Sequence, residues 1–156
     1  MKHNLTPEQM QWHREQAITG FNATWELLDK QNRNQEDNLT MIHMAHASRY
    51  HWGKIGTPLE FARGEWQVSR VYAVLKMGES ALFHAKASLQ YCQENAIASF
   101  DLAFAYEANA RAYAVLGNVE AMQEYIQHGK KAAVDIEDED DCNYFLGELA
   151  TVQITE

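Results

Sequence analysis

The stretch YAVLKMGESALFHAKASL at residues 72–89 is partly repeated as YAVLGNVEAMQEY at residues 113–125. The block YAVL recurs at an offset of 41 residues, and the same offset pairs Ala62 with Ala103 and Arg70 with Arg111. A second block, MIxxAxAS at residues 41–48, matches ALxxAxAS at residues 81–88 at an offset of 40. Self-similarity at such a period indicates stacked supersecondary units, so the chain is predicted to be a structural repeat.

The glycines and prolines indicate that each unit is a pair of helices. The two prolines and four of the eight glycines, Gly53, Gly56, Gly78 and Gly117, fall at or near the ends of segments with helical periodicity, which favours an all-α fold. We predict seven helices in a single domain spanning residues 1–156, with hairpins over about 6–53, 57–93 and 99–134 and a capping helix over 142–152. Residues 29–38 are predicted to be a loop. Gly78 is expected to close the third helix in the left-handed conformation, and the fifth helix is expected to end at Gly117.

Small side chains lie at matching positions of the repeat, where they would let helices approach closely. They are Ala45, Ser48, Ser69, Ala73, Ala85, Ser88, Ala110 and Ala114. In the first helix, the block WELL at residues 25–28 is expected to take the place of YAVL. One hairpin cannot bury its apolar face alone, and a stack of three with a final cap can.

The segments at residues 72–89 and 113–125 resemble tetratricopeptide repeats, in which a tyrosine precedes a glycine turn and an alanine opens the second helix. The likeness covers residues 60–132. It departs from the family in its period of about 40 rather than 34 residues, in shorter turns, and in lacking the proline that ends a repeat. The resemblance implies a short right-handed solenoid whose concave face, lined by the first helix of each pair, binds a peptide or a protein.

Charge and hydropathy exclude several classes of partner. The chain carries 22 acidic against 13 basic residues, a formal charge of −9, and such a surface repels a nucleic-acid backbone. No run of 18 apolar residues and no signal-like apolar segment is present, so we expect no membrane partner and a cytoplasmic location. Cys92 and Cys142 lack metal-ligand spacing and are expected to be isolated thiols.

The candidate binding residues lie on the third and fifth helices. Arg63, Trp66 and Arg70 are spaced i, i+3 and i+7, and Glu107 and Arg111 are spaced i, i+4, so each set shares one helix face. In one interpretation three cations face one carboxylate on the concave wall and bind a carboxylate, a phosphate or an acidic peptide. In the other, the arginines form salt bridges between helices while Trp66 packs in the core.

Metal and catalytic motifs are weak. His43, His46 and His51 share the second helix, and the first two could bind a metal beside Glu65, yet no HExxH or repeated ExxH pattern supports this. Cys92 and His84 lie on one helix with nothing to orient a base. We therefore predict no metal, no cofactor and no catalytic residues.

The sequence favours a non-enzymatic interaction or scaffold module that binds a protein or peptide. A regulatory protein that binds a small ligand or a metal is the alternative, and an enzyme of unrecognised type is the second alternative. Short solenoids expose the edges of their terminal units. We expect a homodimer, with Trp12, Trp25, Phe145 and Leu149 as the exposed contact residues.

Overall fold

The computed structural model describes residues 4–154, which form seven α-helices and no strand. The helices are α1 (Pro7–Asp29), α2 (Gln35–Ile55), α3 (Pro58–Val74), α4 (Gly78–Glu94), α5 (Ser99–Val115), α6 (Val119–Ala133) and α7 (Glu139–Ala150). The all-α prediction is confirmed, with the three hairpins and the final helix in the predicted order.

Local caps explain where the helices begin. The α1 start is a capping box, in which the Gln9 amide donates to Thr6 Oγ1 (3.2 Å) and the Thr6 amide to Gln9 Oε1 (2.9 Å), as expected for this spacing. The predicted loop over residues 29–38 is too long. Asn34 and Asp37 form a second capping box, so the polar residues 35–38 make the first turn of α2. Likewise α7 begins before Cys142, because Asp138 accepts from the Asp141 amide.

The turn between α3 and α4 differs from its prediction. Lys76, with φ of 63°, takes the left-handed conformation that was expected of Gly78. Gly78 instead begins α4, where a Cβ atom would lie 2.7 Å from the side chain of Leu116. A close approach of the next turn therefore explains this glycine. Gly117, the predicted end of the fifth helix, lies just after α5 and adopts a positive φ of 74°.

The helices pack as consecutive hairpins. α1 packs on α2, α3 on α4 and α5 on α6, while the pairs α2/α3 and α4/α5 join neighbouring hairpins. The first helices of the hairpins also meet, since α3 contacts both α1 and α5. All eight small residues predicted to lie at crossings are buried, which confirms that the repeat depends on close helix contact.

Two serine hydroxyls show how the first hairpin aligns with the second. Ser48 Oγ donates to the Ala17 carbonyl (2.7 Å), and Ser88 Oγ donates to the Ala62 carbonyl (2.8 Å). Equivalent bonds make Ala17 the counterpart of Ala62, an offset of 45 residues. The predicted placement of WELL on YAVL, an offset of 47, is therefore wrong by two residues.

The final helix caps the stack by burying its apolar stripe against α5 and α6. Phe145 is 0% and Leu149 3% exposed, so these two residues are unavailable for the dimer contact expected of them. Trp12, at 52% exposure, remains accessible. Across residues 4–154, no helix combines the length and apolarity needed to span a membrane.

Candidate functional site

A row of aromatic rings crosses the side of the stack that α1, α3, α5 and α7 share. The ring centroids of Trp25 and Trp66 lie 5.5 Å apart, those of Trp66 and Phe104 5.5 Å, and those of Phe104 and Tyr144 5.9 Å. These separations are typical of favourable aromatic pairs. We call these four residues, one from each helix, the aromatic ladder.

The ladder lies in a groove that stays open between the first and last helices. Within the described part of the chain, no Cα atom of α1 lies within 8 Å of a Cα atom of α7. The gap contains a cavity of about 280 Å³. Its lining residues are Phe21, Trp25, Ala62, Arg63, Trp66, Ser88, Phe100, Asp101, Phe104 and Tyr144. We call this cavity the aromatic groove. Tyr144 is 54% exposed at its edge and Trp25 and Trp66 are partly exposed, whereas Phe104 is buried.

A buried carboxylate holds the centre of the ladder in place. Glu107 is 0% exposed. Its Oε2 accepts from Trp66 Nε1 (3.0 Å), and its Oε1 accepts from Arg70 Nη1 (3.1 Å) and Arg111 Nε (2.6 Å). Hydrogen bonds to ionised groups are among the strongest in proteins. This network fixes the Trp66 indole.

The same two arginines hold α7 against the stack. Arg70 Nη2 donates to Glu148 Oε2 (2.8 Å). Arg111 Nη2 donates to the Glu148 carbonyl (3.1 Å) and to Thr151 Oγ1 (2.8 Å). The arginine side chains are only 17% and 16% exposed. Their role in the structure is therefore to position the helix that carries Tyr144.

Arg63 stands apart from this network, at the edge of the groove. Its Nε and Nη2 donate to the two carboxylate oxygens of Asp101 (2.8 and 3.2 Å), a bidentate arrangement. The hydrogen bond to Asp101 raises the pKa of Arg63 above its usual value. The Arg63 side chain is 52% exposed, so this ion pair is accessible to a ligand.

The structure brings four of the five predicted site residues into one network, Trp66, Arg70, Glu107 and Arg111. The predicted excess of positive charge is wrong. Three arginines meet three carboxylates, because Asp101 and Glu148 join Glu107. The helix-bridging salt bridges that the sequence left as an alternative are present.

Sequence reasoning missed most of the aromatic ladder. Trp25 was assigned to a dimer contact, and Phe104 and Tyr144 to no site. The available signal was the i, i+4 pairing of Phe21 with Trp25 and of Phe100 with Phe104, which puts two rings on one helix face. The two pairs have centroids 6.5 and 4.8 Å apart.

The two weak candidates for a metal ligand, His43 and His46, have different surroundings. His43 is exposed, while His46 Nε2 lies 2.7 Å from the Tyr72 hydroxyl. Nearby, His84 Nδ1 lies 2.7 Å from Glu65 Oε2. Desolvation lowers the pKa of His46, with a smaller contribution of the same sign from His84. Among residues 4–154, no three His, Cys, Asp or Glu side chains form a group that could hold a metal.

Cys92, considered as a nucleophile, is buried between helices. It is 1% exposed, and desolvation raises the pKa of its thiol to about 11. Because the thiolate is the reactive form, this environment is that of a packing residue.

Comparison with models of protein families, with curated proteins and with solved structures finds no match to this chain. The functional assignment therefore rests on the groove and its chemistry.

Proposed function

We propose that this chain is a non-enzymatic interaction module of the tetratricopeptide type, which binds a peptide segment of a partner protein in the aromatic groove. The observation that carries the proposal is the aromatic ladder, in which Trp25, Trp66 and Tyr144 keep exposed surface in the gap between α1 and α7. Accessible apolar clusters rimmed by polar residues mark binding sites. Aromatic side chains in such a cluster are the typical anchors of protein interfaces.

The network beneath the ladder supports this function by making the groove rigid. Trp66 is held by Glu107, and α7 is held by Arg70 and Arg111. A site formed before its ligand arrives spends less free energy on ordering side chains when it binds. The groove thus presents its rings in one arrangement.

The size of the groove agrees with one or two inserted side chains. Its cavity of about 280 Å³ is at the lower end of the range of small-molecule pockets, about 300–1,000 Å³. A peptide can insert an apolar side chain there while the rest of its chain continues through the gap between α1 and α7. The ring-lined volume also favours a second candidate function, the binding of a small aromatic ligand.

The test is selection from a displayed library of random peptides, with each selected peptide measured against two double variants. Trp25→Ala with Tyr144→Ala removes the two outer rings of the ladder. Trp12→Ala with Tyr50→Ala is the matched control, because it removes the same two residue types at exposed positions away from the groove.

We expect selected peptides to lose at least about tenfold in affinity with the groove variant, because hot-spot aromatics contribute 2 kcal/mol or more. They should bind the control variant as they bind the native protein. Selected peptides that bind both double variants with the affinity they have for the native protein would refute the proposal. The small-ligand function would be favoured if no selected peptide depends on the groove while indole raises the melting temperature of the native protein and not that of the groove variant.

A further inference from the structure

The α1 wall of the aromatic groove ends in a carboxylate. Phe21 and Trp25 line the groove, and Asp29, the last residue of α1, follows Trp25 at i+4. Residues four apart lie on the same helix face. Asp29 is exposed, so its carboxylate lies at the mouth of the groove in line with the two rings.

The α7 wall carries acidic residues on both sides of its ring. Asp140 and Asp141 precede Tyr144 at i−4 and i−3, and Glu148 follows it at i+4. The two aspartates are exposed. Glu148 is 29% exposed and bonded to Arg70. Carboxylates therefore flank the ladder on both walls, Asp29 on the C-terminal side of Trp25 and Asp140 and Asp141 on the N-terminal side of Tyr144. We call Asp29, Asp140 and Asp141 the acidic mouth.

Arg63 and Arg70 do not compensate this charge, because both are already paired. Arg63 is bonded to Asp101, and Arg70 to Glu107 and Glu148. Burial raises the pKa of Tyr144, the carboxylates of Glu148, Asp29 and Glu107 raise it further, and Arg70 lowers it. The net charge of −9 has the same sign.

We propose, building on the proposed function of the groove, that its partner is a cationic peptide segment. A bulky apolar side chain of the segment lies on the aromatic ladder, and lysine or arginine residues beside it face the acidic mouth. Charge complementarity at the edge of an interface steers association and selects partners. The charge of this partner is opposite to that of the acidic partner that the arginines alone predict, because those arginines are neutralised by carboxylates within the fold.

The test uses a displayed library in which every peptide has a central tryptophan between randomised positions. Among peptides whose binding requires Trp25 and Tyr144, we expect lysine and arginine to exceed aspartate and glutamate by about threefold at flanking positions, since an exposed ion pair contributes about 0.2–1 kcal/mol. Equal or inverted enrichment would overturn the inference while the groove function stands. An absence of any groove-dependent peptide would overturn both.

A charge-matched pair of variants completes the test. Asp29→Asn with Asp140→Asn and Asp141→Asn should weaken a selected cationic peptide about tenfold at low salt and reduce the salt dependence of its binding. Glu79→Gln with Glu120→Gln and Glu124→Gln changes the net charge equally at exposed residues of α4 and α6. Equal losses in the two triple variants would show that only the overall charge matters, against the inference.

Discussion

Replacing Glu107 by glutamine should destabilise the fold more than any surface charge substitution. The carboxylate is fully buried and accepts hydrogen bonds from Trp66, Arg70 and Arg111. Glutamine has nearly the same shape but no charge. Glu107→Gln would leave Arg111 without an anionic partner and Arg70 with Glu148 alone.

The size of the effect follows from the burial of the arginines. Removing one partner of a buried ion pair costs about 3–5 kcal/mol, because the remaining charge stays desolvated. The arginine side chains keep 16–17% exposure and Arg70 keeps one partner, so the lower end applies, about 3 kcal/mol. For a domain of this length, that corresponds to a decrease of about 6–12 °C in melting temperature.

Urea unfolding followed by circular dichroism measures this loss, and Asp101→Asn is the control. Asp101 is also bonded to an arginine, but the Arg63 side chain is 52% exposed, so the control should cost less than about 1 kcal/mol. If Glu107→Gln costs no more than Asp101→Asn, the network is not a structural element. Arg70 and Arg111 would then be available to bind a ligand, as one interpretation of the sequence proposes.

Two further predictions test the helix packing and the histidine pair. Ala110→Leu should overpack the helix crossing at the fully buried Ala110 and lower the free energy of unfolding in urea by about 1–3 kcal/mol. Ala150→Leu, at the exposed end of α7, should leave that free energy unchanged. An unchanged free energy of unfolding for Ala110→Leu would refute the repeat alignment. The pKa of His46 is lowered in the fold, so the unfolded state binds more protons than the folded state. The contribution of His46 to stability is therefore complete above the unfolded pKa of about 6.5, and it is lost as the pH falls towards the folded pKa. His46 faces His84, Glu65, His43 and the Tyr72 hydroxyl. Between about pH 7.5 and 5.5, the His46→Gln variant should lose less stability than the His128→Asn variant. Equal losses in the two variants would show that His46 is not the source of this pH dependence.

The sequence could predict the helix ends that are determined by residues close to them in the chain. The start of α1 at Thr6-Pro7 and the turn at Gly117 follow from capping and from backbone freedom, and both are present. Asn34 shows the limit of the same reasoning. It forms a capping box with Asp37, but the polar run around it has the composition of a loop, and only tertiary packing shows that it begins a helix.

The site was partly predictable for the same reason. Glu107 and Arg111 are an i, i+4 pair whose spacing is visible in the sequence. Glu148, by contrast, bonds to Arg70 across 78 residues of sequence, and nothing local indicates it. Without that contact, the carboxylates that pair with the arginines could not be counted from the sequence, and the charge left over at the groove could not be predicted.

Burying an ionic network beside a row of exposed rings has a physical rationale in this fold. An apolar replacement of a buried ion pair is often as stable as the pair or more so, so stability alone does not explain Glu107 and its two arginines. Their hydrogen bonds are directional: Arg70 and Arg111 bind α7 at Glu148 and Thr151. The buried side chains of Phe145 and Leu149 seat α7 on α5 and α6, and the hydrogen bonds of the two arginines add fixed contacts towards its C-terminal end. The network therefore keeps α7 at the edge of the stack, where Tyr144 completes the groove and leaves it open.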